Sequence, residues 1–193
     1  MKKIALTQRL IENDSYFEIR EALDINWGKL FECAGFEPVI LPFEYDFKKL
    51  SFDGVIFTGG NTLSSVSGKN IDKKRDTFEK KLLSYCIERK IPVLSICRGL
   101  HLVNEYFGGT IKPVKNHAGT RHFLDNGKEV NSYHDFAVDK LGQGLKINAK
   151  SKDGIIEIIK HEKYKIYAQM PHPERENPFN DEAVKFMQDY FND

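Results

Sequence analysis

The triplet Cys97-Arg98-Gly99 ends the apolar run Ile91-Pro92-Val93-Leu94-Ser95-Ile96 and opens a second apolar pattern at Leu100. A side chain at such a strand-to-helix junction is lifted out on a sharp turn at the top of a sheet, a nucleophile elbow. The turn leaves room only for small residues two positions to either side, and Ser95 and Gly99 meet that demand. The helix that follows offers free backbone N–H groups and the positive end of its dipole, both of which favour a thiolate. Further on, Gln169-Met170-Pro171-His172-Pro173-Glu174 supplies a base and a carboxylate two residues apart. In extended chain such side chains point the same way, so Glu174 can reach the ring nitrogen of His172 that faces away from Cys97. Nucleophile, base and orienting acid are the parts of covalent acyl transfer.

Attack on a carbonyl also needs fixed donors for the charge that builds on oxygen. The N–H of Arg98, next after the nucleophile, is one. A second must come from the end of a neighbouring strand. The turn Thr58-Gly59-Gly60-Asn61 stands in the right order, and glycine lets backbone approach a ligand closely. No Gly-x4-Gly-Lys-Ser/Thr and no Gly-x-Gly-x-x-Gly follows any strand, so a phosphate cradle of either kind is excluded.

The elements that must position these groups alternate. Lys3 to Thr7 reads as a buried strand. Ile19, Leu23, Trp27, Leu30 and Ala34 recur at helical spacing, with Gly35 as the stop. Pro38 to Leu41 and Asp53 to Gly60 are the next strands. Phe78, Leu82, Tyr85 and Cys86 mark a helix with Asp72 as its expected N-cap. The elbow strand and its helix follow. Strand and helix in alternation imply a parallel sheet with right-handed crossovers. From Arg121 to Tyr167 short runs are divided at Gly127, Gly154 and Lys163, the pattern of hairpins. Phe186, Met187, Tyr190 and Phe191 close the chain with a helix. The expectation is an α/β three-layer sandwich on a central, mostly parallel sheet, flavodoxin-like, with mixed or antiparallel strands in the C-terminal half. Residues 1–193 are expected to form one catalytic domain.

With 29 basic and 28 acidic residues the net charge is +1, so nothing points to nucleic acid or an anionic membrane as partner. No apolar run is long enough to span a bilayer or form a signal-peptide core. Three cysteines, Cys33, Cys86 and Cys97, are an odd number without paired spacing and suit a reducing cytoplasm. Cys33 and Cys86 are expected to be buried packing residues. His117 and His122 lack a cysteine or carboxylate at ligand spacing, so no metal site is expected. His101 and His161 are assigned to surface or packing. Lys69, Lys73, Lys74 and Arg75 are expected to form a solvated helix start, or to pair with an anionic leaving group.

An elbow with a downstream His-Pro-Glu resembles the class I glutamine amidotransferases. Within that family the chain is similar to stand-alone gamma-glutamyl hydrolases that cleave gamma-glutamyl-gamma-aminobutyrate. The likeness rests on Ile96-Cys97-Arg98-Gly99, on Gly108-Gly109, on Val130-Asn131-Ser132-Tyr133-His134, and on Gln8-Arg9 followed by Glu21-Ala22-Leu23-Asp24. It covers nearly the whole chain. The resemblance implies an oxyanion hole from Gly60 and Arg98, and a glutamyl pocket lined by Asn61, Asn131, Ser132, Tyr133 and His134. It implies hydrolysis of a small gamma-glutamyl amide through a glutamyl thioester, without a cofactor. Departures between Asn61 and Arg75 and before His172 fall where a leaving group would sit. They leave the leaving group open, and the chain as a whole resembles capsule-phosphoramidate hydrolases that act on gamma-glutamyl-CDP-amidate. The alternative is a glutaminase subunit feeding ammonia to a separate synthase. Oligomeric state is open, a homo-oligomer included.

Overall fold

The computed structural model describes residues 1–192. Its elements in chain order are β1 (Lys2–Leu6), β2 (Arg9–Glu12), β3 (Ile19–Ala22), α1 (Asn26–Ala34), β4 (Phe36–Ile40), β5 (Gly54–Phe57), α2 (Ser64–Ser67) and α3 (Asn70–Arg89). They continue with β6 (Val93–Ile96), α4 (Arg98–Tyr106), β7 (Thr110–Pro113), β8 (Ala118–Phe123), β9 (Glu129–Tyr133) and β10 (Phe136–Lys140). The last are β11 (Leu145–Lys150), β12 (Ile156–His161), β13 (Ile166–Gln169) and α5 (Asp181–Asn192).

Seven strands form one sheet in the order β11-β12-β13-β6-β5-β1-β4. The five from β13 to β4 run parallel; β12 is antiparallel to β13, and β11 in turn is antiparallel to β12. The parallel core with antiparallel C-terminal strands is the arrangement expected from sequence. Central strands need apolar residues on both faces, and β5 (Gly-Val-Ile-Phe) and β6 (Val-Leu-Ser-Ile) are buried at every position.

The chain passes from β1 to β4 in one direction along the sheet and from β5 to β6 in the other. Right-handed crossovers in opposite directions put their helices on opposite faces. Accordingly α1 packs with α5, and α3 packs with α4. The reversal falls between β1 and β5, and ligands bind beyond the carboxyl ends of strands at such a switch point. The residues just past those ends are Arg9, Thr58 to Asn61, Cys97 and, beyond β13, His172. Four segments far apart in sequence therefore share one edge of the sheet.

Three local expectations are corrected. Ile19–Ala22 is a strand pairing with Arg9–Glu12, not the first turn of a helix, because its register with β2 satisfies its backbone. Helix α3 begins after Lys69, so Asp72 lies inside the first turn, where it accepts from Ser67 Oγ at 2.6 Å. Cys33 is exposed, whereas Cys86 is buried as expected. No helix among the described residues is long and apolar enough to cross a membrane.

Candidate active site

Cys97 sits between β6 and α4 with φ 51° and ψ −105°, a conformation that costs a non-glycine residue about 1–3 kcal/mol. Tertiary contacts hold it there. Its N–H donates to the Gln169 carbonyl at 2.7 Å, and its carbonyl accepts from Leu100 N at 2.9 Å. The small neighbours are needed as the sequence suggests: a Cβ on Gly99 would stand 2.7 Å from the Phe57 carbonyl oxygen and 3.1 Å from Ser95 Cβ.

His172 and Glu174 are both buried, and Nδ1 lies 2.6 Å from Glu174 Oε1. Burial alone would lower the pKa of His172. Interaction with the Cys97 sulfur and with Glu174 outweighs it and raises the pKa to about 9. Nε2 makes no well-aligned hydrogen bond, so the sulfur acts on the ring through proximity more than alignment. Such loose geometry is usual in an enzyme without its substrate. A Cβ on Gly59 would meet His172 Cε1 at 2.7 Å and Cys97 Cβ at 3.6 Å. Cys97, His172 and the Gly59 backbone thus enclose one small space.

The glycine turn is gripped from behind. Arg75, fully buried, donates to the carbonyls of Thr58 (2.7 Å), Gly59 (3.0 Å) and Gly60 (2.6 Å). In a trans peptide the N–H points opposite to the carbonyl it is bonded with. Turning the Gly59 carbonyl toward Arg75 therefore turns the Gly60 N–H away from it. Gly60 takes φ +78°, where a side chain would be strained. Arg75 also donates to Glu79 at 3.0 Å, and Arg98 donates to Glu79 and Asp76. Burial pulls Arg75 down to about 10. Burial would raise Glu79, but Arg75 and Arg98 together hold it below its ordinary value. Two arginines and two carboxylates tie the nucleophile helix and the glycine turn to α3. The expectation for the basic run is corrected at Arg75 alone, which is buried; Lys69, Lys73 and Lys74 are exposed at the helix start as expected, Lys74 pairing with Glu44.

Of the residues expected to line a glutamyl pocket, Tyr133 alone turns its side chain toward the catalytic pair, its ring 5.6 Å from the His172 ring, edge to face. The Asn61 amide bonds the backbone N–H and carbonyl of Leu10, both at 3.0 Å, bracing β2. Asn131 brackets His172, accepting from its N–H and donating to its carbonyl, each at 2.8 Å. Ser132 Oγ donates to the His117 carbonyl at 2.5 Å. His134 turns inward to Glu157, 3.3 Å away. The side chains of Asn61, Asn131, Ser132 and His134 thus serve internal contacts, which leaves the backbone around Ser132 and Tyr133 as the part of this segment that would meet a substrate. Each of the four is a polar residue near the site whose side chain meets a buried backbone or carboxylate partner first.

Two cations were not read as site residues from sequence, although Arg9 stood in the Gln8-Arg9 opening. Arg9 is exposed and packs on Gly60, where an added Cβ would lie 3.1 Å from Arg9 Cδ. The Arg175 guanidinium lies 4.6 Å from the centre of the Tyr133 ring. The one available signal was adjacency, to the Gln8-Arg9 opening and to the His-Pro-Glu segment. A separate cavity of about 730 Å³ lies behind His172, against Tyr167, Phe186 and Met187. Its lining includes His172 but not Cys97.

Residues 4–123 and 111–174 match the family model described as Peptidase C26. The chain belongs to the Peptidase C26 family. This C26 chain is 43% identical, over 97% of its length and 96% of the relative's, to the gamma-glutamyl-CDP-amidate hydrolase of Campylobacter jejuni subsp. jejuni serotype O:2. Its fold is similar to a glutamine amidotransferase from Thermotoga maritima, with a TM-score of 0.69 at 14% identity over 99% of this chain and 84% of the other. Family and fold agree with the class I glutamine amidotransferase resemblance, and the C26 chain is a hydrolase.

Proposed function

We propose that this hydrolase cleaves the gamma-glutamyl amide bond of gamma-glutamyl-CDP-amidate, releasing L-glutamate. The supporting observation is Cys97 held at positive φ beside a His172–Glu174 pair at 2.6 Å, in a chain that matches the Campylobacter hydrolase end to end. The Cys97 thiolate attacks the gamma-carbonyl while the N–H groups of Gly60 and Arg98 hold the oxyanion. The His172 imidazolium, steadied by Glu174, gives its proton to the departing nitrogen as the C–N bond breaks. This leaves a glutamyl thioester and a neutral ring. His172 then takes a proton from water, which attacks the thioester; the C–S bond breaks, glutamate leaves, and the Cys97 thiolate and His172 imidazolium are restored. Arg9 on the oxyanion side and Arg175 on the base side carry positive charge at the mouth, suited to a substrate with a diphosphate and a carboxylate. No cofactor enters these steps. Three free cysteines suit a cytoplasmic setting.

A panel of gamma-glutamyl amides tests the reading. Gamma-glutamyl-CDP-amidate should give a higher kcat/KM than glutamine or gamma-glutamyl-gamma-aminobutyrate. Arg9→Ala should raise KM for the nucleotide-linked substrate and leave the others nearly unchanged. Equal or better turnover of free glutamine would favour the glutaminase-subunit alternative.

A further inference from the structure

Three histidines converge on one buried carboxylate away from the catalytic cysteine. His117 Nδ1, His122 Nε2 and His134 Nε2 lie 3.3, 3.4 and 3.3 Å from Glu157 Oε1. Glu157 is fully buried, and His117 and His134 are 3% exposed. None of the three nitrogens and neither Glu157 oxygen has a hydrogen-bond partner. Five unpartnered polar atoms in one buried place need an explanation.

The outer nitrogens supply it. His117 Nε2 lies 3.0 Å from Asp153 Oδ2, and His134 Nδ1 lies 2.9 Å from the Phe136 carbonyl. Both partners only accept, so each of these nitrogens carries the N–H. In a neutral imidazole the other nitrogen is then a bare lone pair. With neutral rings, two lone pairs therefore face a carboxylate oxygen inside the protein, an arrangement that is repulsive unless a metal ion or added protons lie between them.

We propose that His117, His122, His134 and Glu157 bind a single divalent cation of the zinc class. Zinc takes nitrogen and carboxylate ligands at about 2.0–2.1 Å in a tetrahedron, whose corners are then about 3.3–3.4 Å apart. The three nitrogen-to-oxygen separations match that edge; the ligand atoms of His117, His122 and Glu157 lie within 4.8 Å of one another, so the histidines must draw together to close on an ion, and His134 stands outside that set. Asp153 and the Phe136 carbonyl orient the rings as outer partners commonly do for metal-bound histidine. With His134 drawn in, four protein ligands would fill the coordination shell, which makes the role structural.

The ion would join the β8–β9 hairpin to the central sheet. His117 precedes β8, His122 lies on it, His134 follows β9, and Glu157 is on β12. The same hairpin carries Asn131, which brackets His172, and the Glu157 carbonyl accepts from Met170 N at 2.8 Å. The expectation of no metal rested on the lack of a carboxylate at ligand spacing. Glu157 supplies one from a strand 35 residues beyond His122, a distance that spacing rules do not search. This inference is independent of the substrate assignment.

The test uses the full chain without a histidine tag. Metal analysis of the purified protein should find one zinc-class ion per chain. Stripped with a chelator, the protein should lose thermal stability and regain it with Zn²⁺ alone. Co²⁺ should give the intense visible bands of a tetrahedral site, displaced by Zn²⁺. His122→Ala, at the most solvent-accessible ligand, should lose them. Asp153→Ala, at an exposed outer partner, should weaken metal affinity about 10–100-fold. Cys33→Ser should bind as wild type. A folded protein that takes up neither ion would overturn the proposal and assign the cluster to protonated histidines. Undiminished binding by folded His122→Ala, or loss of binding in Cys33→Ser, would overturn it as well.

Discussion

Two buried polar clusters flank the catalytic centre, one on the side of the nucleophile and one on the side of the base. Arg75, Asp76, Glu79 and Arg98 hold the glycine turn and the nucleophile helix. His117, His122, His134 and Glu157 lie under the hairpin that brackets His172. The first balances two positive charges with two negative ones, and its carboxylates receive donors. The second sets lone pairs against a carboxylate. Buried charge in the first is compensated by protein alone, whereas the second is complete only with a cation. Both clusters support backbone that would otherwise relax: a strained elbow in one case, and in the other an irregular segment between β13 and α5.

The largest expected effect breaks the first cluster. Glu79→Ala leaves Arg75 and Arg98 without their shared carboxylate and should cost about 3–5 kcal/mol in urea unfolding. The loss should be the same with Zn²⁺ or chelator present, in contrast to the second cluster. Next comes the space between the two sides. Gly59→Ala drives a methyl against His172 Cε1, and kcat should fall on the order of 100-fold. Its unfolding midpoint should move far less than that of Glu79→Ala.

Asn131→Ala tests the base side alone. It strips the buried His172 N–H and carbonyl of their partner, worth about 1–3 kcal/mol. It should lower kcat with little change in KM. The smallest effect is one of pH. With His172 raised to about 9, the proton donor is present below that pH and lost above it. The kcat/KM profile should show an alkaline limb near 9. Glu174→Gln removes one of the raising partners and should move that limb to lower pH; an unmoved limb would assign it to another group.

The catalytic groups between the two clusters were far more legible in sequence than either cluster. An elbow, a Gly-Gly turn and a His-Pro-Glu segment are local signals at the ends of parallel strands, and the alternating pattern placed those ends together. The run Lys73-Lys74-Arg75 concealed one inward guanidinium among exposed ammoniums, because burial on a helix depends on what packs against it. Ile19 matched a helical period by coincidence, and four residues are too few to separate strand from helix. Asn131 and His134 stood in a recognisable segment, but their partners, His172 and Glu157, lie 41 and 23 residues away. Glu157 itself reads as one polar position in the strand Ile-Glu-Ile-Ile-Lys-His. Sequence spacing captured the chemistry carried by neighbouring residues and missed the supports made across strands.

The central claim is that Cys97 becomes acylated during turnover. Mixing the wild-type protein with gamma-glutamyl-CDP-amidate, quenching in acid and analysing peptides by mass spectrometry tests it directly. The expected result is a glutamyl adduct on the Cys97 peptide that decays as glutamate appears. Steady release of glutamate with that peptide unmodified, and with turnover retained in Cys97→Ala, would contradict it.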